Sequence, residues 1–167
     1  MAQVMEVLDA RKVAPEEAVP KNRHRALFDY WQSKCQGWEL PSRADIDPSE
    51  IPAHVLPDIS LVTVERYSGE KLRYRFRLIS TNVVLNLGRD VTGFSFDQAF
   101  HREDYLASEQ FVYGTVVRKA KWQWSRAALR VPGREYITHS RLLLPLASDG
   151  RTVNMVLGHS LFEMRQG

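Results

Sequence analysis

The chain has 167 residues, 44% hydrophobic and 26% charged, with a net charge of +3. That length suits one domain able to bury a real core, the composition is that of an ordinary soluble globular protein, and so mild a charge does not by itself argue for nucleic acid. One cysteine, Cys35, excludes an internal disulfide. No segment approaches the ~18 uninterrupted apolar residues of a membrane span, and MAQVMEVLDARKV lacks the basic start and apolar run of a signal peptide, so a cytoplasmic location is expected.

Residues 1–20 mix Met, Val, Glu and Ala with Pro15 and Pro20 and read as a tail or a short helix. From Asn22, the residues Leu27, Phe28, Tyr30, Trp31 and Cys35 fall at helical spacing, and Gly37 follows where a C-cap sits. The basic start of this helix (Lys21, Arg23, His24, Arg25) does not suit a positive helix N-terminus, which assigns those residues to solvent or to a partner. The aromatic face needs a cover. Either its own domain supplies one, or a second copy does, which makes Leu27, Phe28 and Trp31 the candidates for a homodimer interface.

Residues 39–58, ELPSRADIDPSEIPAHVLPD, hold four prolines, a density that prevents a long helix or a central strand. Asp47, Pro48 and Glu50 mark the start of one helical turn, and Ile46, Ile51, Val55 and Leu56 anchor what reads as a wrapping connector. The expected division is a tail over 1–20, a helix and connector over 21–58, and a core over 59–163.

Two strands open the core. Ile59 to Glu65 is apolar and β-branched, and Leu72 to Ile79 alternates, with Leu72, Tyr74, Phe76 and Leu78 on one face and Arg73, Arg75 and Arg77 on the other. A short helix follows over Ser80 to Leu87, closed by Gly88, and a longer one from about Glu103 to Arg118. Lys121 to Val131 reads as a strand carrying Trp122 and Trp124 before a Pro132-Gly133 turn. The chain closes on two long arms, 135–146 and 152–162, joined at Asp149-Gly150, one of the strongest short hairpin signals. The whole is an α+β domain with one five-stranded antiparallel sheet, small helices and one long helix on one face, plus the N-terminal helix.

The strand and helix order, the run from Trp38 to Val62 with its Pro-Ser-Arg-Ala-Asp-Ile-Asp-Pro string, the loop Gly88 to Gly93 and the hairpin Leu142 to Gly158 resemble the single-domain PAS-like family found mostly in alphaproteobacteria. The resemblance covers roughly Leu27 to Phe162. At Leu78-Ile79-Ser80-Thr81 this chain lacks the glycine that the family places before the threonine, which alters the turn at the pocket mouth. The resemblance implies a sensory or regulatory module, not an enzyme, acting through a small molecule, through association with a second copy or a signalling partner, or both. It also implies a pocket between the inner sheet face and the helices, with Tyr74, Phe76, Phe94, Tyr113, Trp124, Ser140 and Asn154 as candidate lining. Those aromatics equally describe a filled core. Nothing that fits an output domain accompanies the module, so its signal is expected to leave by protein–protein contact.

No cofactor is indicated. The stretch Ser80 to Leu87 has no cysteine for flavin photochemistry, and His101, near the position where some PAS domains hold haem, reads as an ordinary residue before a helix. None of the five histidines sits in a metal motif. His139 and His159 lie on paired strands and could be close in space, but a metal or general-base role would need both to face the interior beside a carboxylate, and an ordinary hydrogen-bonded or surface histidine is the favoured reading. Two other functional classes are set against the sensor. A small cyclase-like or ligand-binding enzyme would need a buried acid–base pair in the pocket. A nucleic-acid binder would use Arg73, Arg75 and Arg77 joined by Arg126, Arg130 and Arg134, yet Tyr74 and Phe76 point away from those arginines and offer no stacking platform beside them.

Overall fold

The computed structural model describes residues 6–8, 19 and 23–165. One antiparallel sheet runs through it. Its strands are β1 (Glu6–Leu8), β2 (Ile59–Tyr67), β3 (Lys71–Ile79), β4 (Gln123–Ala128), β5 (Ile137–Leu146) and β6 (Met155–Met164), in the order β1-β4-β5-β6-β2-β3. The five expected strands are present, and β1 adds a short sixth at the β4 edge, pairing Val7 with Ser125. Residues 6–8 are therefore strand rather than tail or helix. The remainder of 1–20, apart from Val19, lies outside the described residues.

The β5–β6 hairpin is the centre of the sheet. Ten residue pairs run from Ile137↔Met164 to Leu146↔Met155. At its turn Gly150 takes φ +79, which only glycine adopts without strain. The Asp149 carboxylate accepts the backbone N–H of Arg151 (2.8 Å) and Thr152 (2.6 Å), and these hydrogen bonds hold its pKa down to about 2. Pro145 sits one residue inside the strand end, where its missing N–H does little harm.

Alternation along β5 sends side chains to two separate cores. Leu142, Leu144 and Leu146 face one side and Leu143 the other. The first side is covered by α1 (Arg23–Lys34) and by the proline-rich connector, which forms three short 3-10 turns at Arg43–Asp45, Pro48–Glu50 and Leu56–Asp58. The turn at Pro48 is capped as its sequence demands, with the Asp47 carboxylate accepting Ser49 N–H at 2.9 Å. Leu27 and Phe28 are 0% exposed and Trp31 6%, packed with Trp122, Ile59, Leu61 and Leu157. The Trp31 indole N–H donates to the Pro145 carbonyl at 3.0 Å. The cover of the aromatic face is thus the chain's own sheet. Leu27, Phe28 and Trp31 are core residues rather than a surface open to a second copy.

The opposite face carries α2 (Thr81–Leu87), α3 (Phe96–Ala99) and α4 (Glu103–Lys119). Helix α2 ends at Gly88, whose φ of +87 reverses the chain, and α3 begins with a reciprocal Ser95–Gln98 cap. One expectation fails along β3. A bulge opposite Leu61/Val62 shifts the register, so Val62 pairs with Phe76 and Leu61 with Leu78. The extra residue flips the alternation: Ile79 is buried in place of Leu78, which is 41% exposed.

Candidate ligand-binding site

The helix-side interior is filled by rings. Phe96, 1% exposed, is the hub: its ring centre lies 4.9 Å from Phe76, 5.1 Å from Tyr74, 4.9 Å from Tyr113 and 5.3 Å from Phe100. Tyr74, Phe76 and Tyr113, three of the expected pocket residues, therefore meet one another as packing. The other four scatter. Phe94 is exposed and straps β3, its carbonyl accepting Phe76 N–H at 2.9 Å. Trp124 and Ser140 lie on the α1 side. Asn154 closes the base of the hairpin, its side-chain carbonyl accepting Ser148 N–H at 3.2 Å. Strand alternation divides the sheet interior in two, so the seven residues do not share one space.

A cavity of about 230 Å³ opens where the ring packing ends. Three stretches bound it: Leu87, Arg89 and Val91 at and after the end of α2, Ala99 to Arg102 with Tyr105 at the α3–α4 junction, and Arg130 to Pro132 between β4 and β5. Its walls are mostly apolar. Arg89 is fixed by donating to the Ala99 carbonyl, with its other terminal nitrogen 3.5 Å from His101 Nε2. Arg130 lies over the Tyr105 ring at 5.8 Å. The volume falls just under the usual ~300–1,000 Å³ of small-molecule sites, a size for a small metabolite rather than a macrocycle. His101 does stand on this wall, a placement its position before a helix does not announce.

Beneath Tyr105 and Arg130 a smaller crevice leads to a buried ion pair, Arg141 with Glu109, whose side chains are 10% and 7% exposed. Burial works against the Arg141 charge, and the Glu109 carboxylate and Tyr113 more than offset it, so its pKa is raised and it stays ionised. Burial, with Glu109 adding to it, pushes the Tyr105 and Tyr113 hydroxyls well above the usual phenol range. Both are neutral at any physiological pH. His139 stacks on Phe162 (4.7 Å between ring centres) and meets Ser160 Oγ at 2.9 Å, and burial, with the Arg141 charge, lowers its pKa to about 3.

His159 is on the other face, paired across the ladder with Leu142, so it does not approach His139. Its partner comes from α1. His159 Nδ1 lies 2.7 Å from His24 Nδ1, and His24 Nε2 lies 2.9 Å from Ser140 Oγ. In the neutral pair one ring nitrogen donates and the other accepts. On the far side Asp58 Oδ2 stands 3.8 Å from His159 Nε2 and 3.0 Å from Arg23, while Asp58 Oδ1 accepts from Asn82 at 2.9 Å. Burial first, then the Arg23 charge, depresses His24 to about 4; burial first, then His24, depresses His159 to about 3. The basic start of α1 is thus split. Arg23 answers a buried carboxylate, and His24 is 0% exposed rather than open to solvent.

Asp58, His159, His24 and Ser140 form an acid–base chain by composition, but each is buried beneath α1 and none lines the cavity. The residues lining the cavity include no carboxylate, and the Glu109–Arg141 pair sits behind its floor. Cys35 donates weakly to the Trp31 carbonyl (3.6 Å), and burial raises its pKa, so it is a poor nucleophile. Among the described residues no cluster of three or more His, Cys, Asp or Glu could hold a metal ion, and no helix is long and apolar enough to cross a membrane. The arginines that a nucleic-acid binder would use do not join. β3 and β4 are separated by β5, β6 and β2; Arg75 pairs with Glu65 at 3.0 Å, and Arg134 donates to the carbonyls of Leu85 and Asn86 at 2.6 and 2.7 Å.

This arrangement, one antiparallel sheet with short helices and a long helix gathered over a small cavity, defines a PAS-like α+β module. The chain belongs to the PAS domain family, whose model matches residues 19–161, α1 and the connector included. It is accordingly a sensory or regulatory domain, of a family generally without catalytic activity. No curated protein and no solved structure matches it.

Proposed function

We propose that this PAS domain is a non-enzymatic sensor that takes a small molecule into the cavity between the α3–α4 junction and the β4–β5 connection and reports it by association, with a second copy or a signalling partner. The observation that carries the reading is the cavity itself. Beside the packed aromatic core lies a cavity with apolar walls and a few fixed polar groups, the composition of small-molecule sites. Its walls belong to three different segments, so an occupant would change their relative positions. Because α1 is spent on its own sheet, association would use other surfaces, among them the fully exposed Trp38 and the exposed Leu85 and Phe111.

Native mass spectrometry of the purified chain, beside the variant Val131→Trp, tests both parts. The expected result is a small-molecule adduct, or one gained from a metabolite extract, that the tryptophan abolishes by filling the cavity, with a change in oligomer distribution or partner capture on loading. An adduct that persists in Val131→Trp would place the ligand elsewhere and refute the site.

A further inference from the structure

The charges around the cavity narrow what it would hold. Three of its lining residues are arginines, Arg89, Arg102 and Arg130, and none is acidic. Two have work within the fold: Arg89 is anchored on the Ala99 carbonyl, and Arg102 forms a forked pair with Asp104. Arg130 differs. It is half-buried and lies over Tyr105; the Asp104 carboxylate, already paired with Arg102, feels its charge, and among the described residues no hydrogen bond or ion pair engages its guanidinium. A half-buried guanidinium with five donors and no acceptor, at the rim of an apolar cavity, is matched by a planar carboxylate, which takes two of those donors at once. The rest of the space, walled by Leu87, Phe100 and Tyr105, suits an apolar or aromatic body.

We infer, resting on the cavity reading above, that the ligand is a small organic acid: an apolar body against Phe100 and Tyr105 and a carboxylate held by Arg130, with Arg89 as the second cation. A bare anion leaves the apolar walls unused, and a neutral apolar molecule leaves the Arg130 fork unanswered. The carboxylate would tie the β4–β5 connection, which carries Arg130, to the α2 end, which carries Arg89. Ligand class and movement thus follow from the same two residues.

The test uses the full chain, amide chemical-shift titrations and four probes: benzoate, hexanoate, benzamide and inorganic phosphate. Benzoate or hexanoate is expected to saturate below about 10 mM, shifting amides at 87–91, 99–105 and 130–132 and binding about tenfold more tightly than benzamide or phosphate. Arg130→Gln, checked for an unchanged melting temperature, should bring the acids down to the level of benzamide and leave benzamide itself unaltered. Benzamide binding as well as benzoate, or acids indifferent to Arg130→Gln, would overturn the acid class while keeping the cavity. Phosphate binding as tightly as benzoate would overturn the apolar body. If no probe moves those amides, both the acid inference and the cavity reading fall.

Discussion

The histidine pair beneath α1 makes the fold sensitive to mild acid. His24, His159 and, on the other face, His139 have pKa values lowered from 6.5 to about 4, 3 and 3. At pH near 5 each ring would bind a proton in the unfolded chain but not in the folded one. Stability from this source is therefore intact above the unfolded value and declines as pH falls below 6.5. Between about pH 7.5 and pH 5 each histidine costs about 2 kcal/mol, together about 6 kcal/mol, a large part of a domain's ~5–15 kcal/mol. The depressed carboxylates Asp45, Asp47, Asp90 and Asp104 act lower, since their stabilising contribution is lost only as pH falls toward and below their ordinary value of 3.8. Urea unfolding across this window, followed by tryptophan emission, measures the effect. The signal is well placed because Trp31, Trp122 and Trp124 all pack on the α1 side. His24→Gln should reduce the pH slope, by removing its own proton uptake and the His24 charge that depresses His159. A loss under about 1 kcal/mol, or an unchanged slope in His24→Gln, would refute the buried neutral pair.

Three further outcomes follow from the packing. Phe28→Ala should cost about 3–5 kcal/mol in urea unfolding and leave the oligomeric state measured by light scattering unchanged, because Phe28 is interior to its own chain. Gly158→Ala should destabilise by about 1–3 kcal/mol, since its new Cβ would clash with the side-chain oxygen of Ser60 and meet Leu143 at 3.5 Å; the double variant with Ser60→Gly should recover most of the loss. Arg141→Met should cost about 3–5 kcal/mol by stranding Glu109, while Arg141→Met with Glu109→Leu should unfold near the wild-type midpoint.

Strand and helix identities were legible because they rest on local rules. The Asp149-Gly150 turn, the proline stop of the connector and the glycine end of α2 each act within a few residues, and all appear where the sequence places them. The candidate site was less legible because its residues depend on which face of the sheet they take. Tyr74 and Phe76 were assigned to the correct face, but whether they line a space or fill it is decided by Phe96, whose position no periodicity states. The bulge in β3 cannot be read from an unbroken alternation, and it moved Leu78 to the surface. Strand parity keeps the two hairpin histidines apart: residues 139 and 159 are on paired strands, but their ladder partners are Phe162 and Leu142, on opposite faces. His24 was missed because a histidine in a basic run reads as solvated. The one available signal was its helical spacing with Leu27, Phe28 and Trp31.

The uncovered side of β3 has a consequence for how this molecule behaves at high concentration. An outermost strand with free backbone groups is a template on which another chain can crystallise into a growing ribbon. Here the middle of that template is already taken: Gly93 N–H donates to the Phe76 carbonyl, Phe76 N–H to the Phe94 carbonyl, and Arg75 bridges Ser95. The kink opposite Leu61/Val62 interrupts what remains, and Arg73 and Arg77 stand exposed on either side of the closed part. A neighbouring copy arriving edge-on would meet a segment already paired, a bend and its own repelling arginines. Ribbon growth is thus blocked along this margin of the sheet, which leaves contacts between copies on the β3 side to side chains that can come apart again.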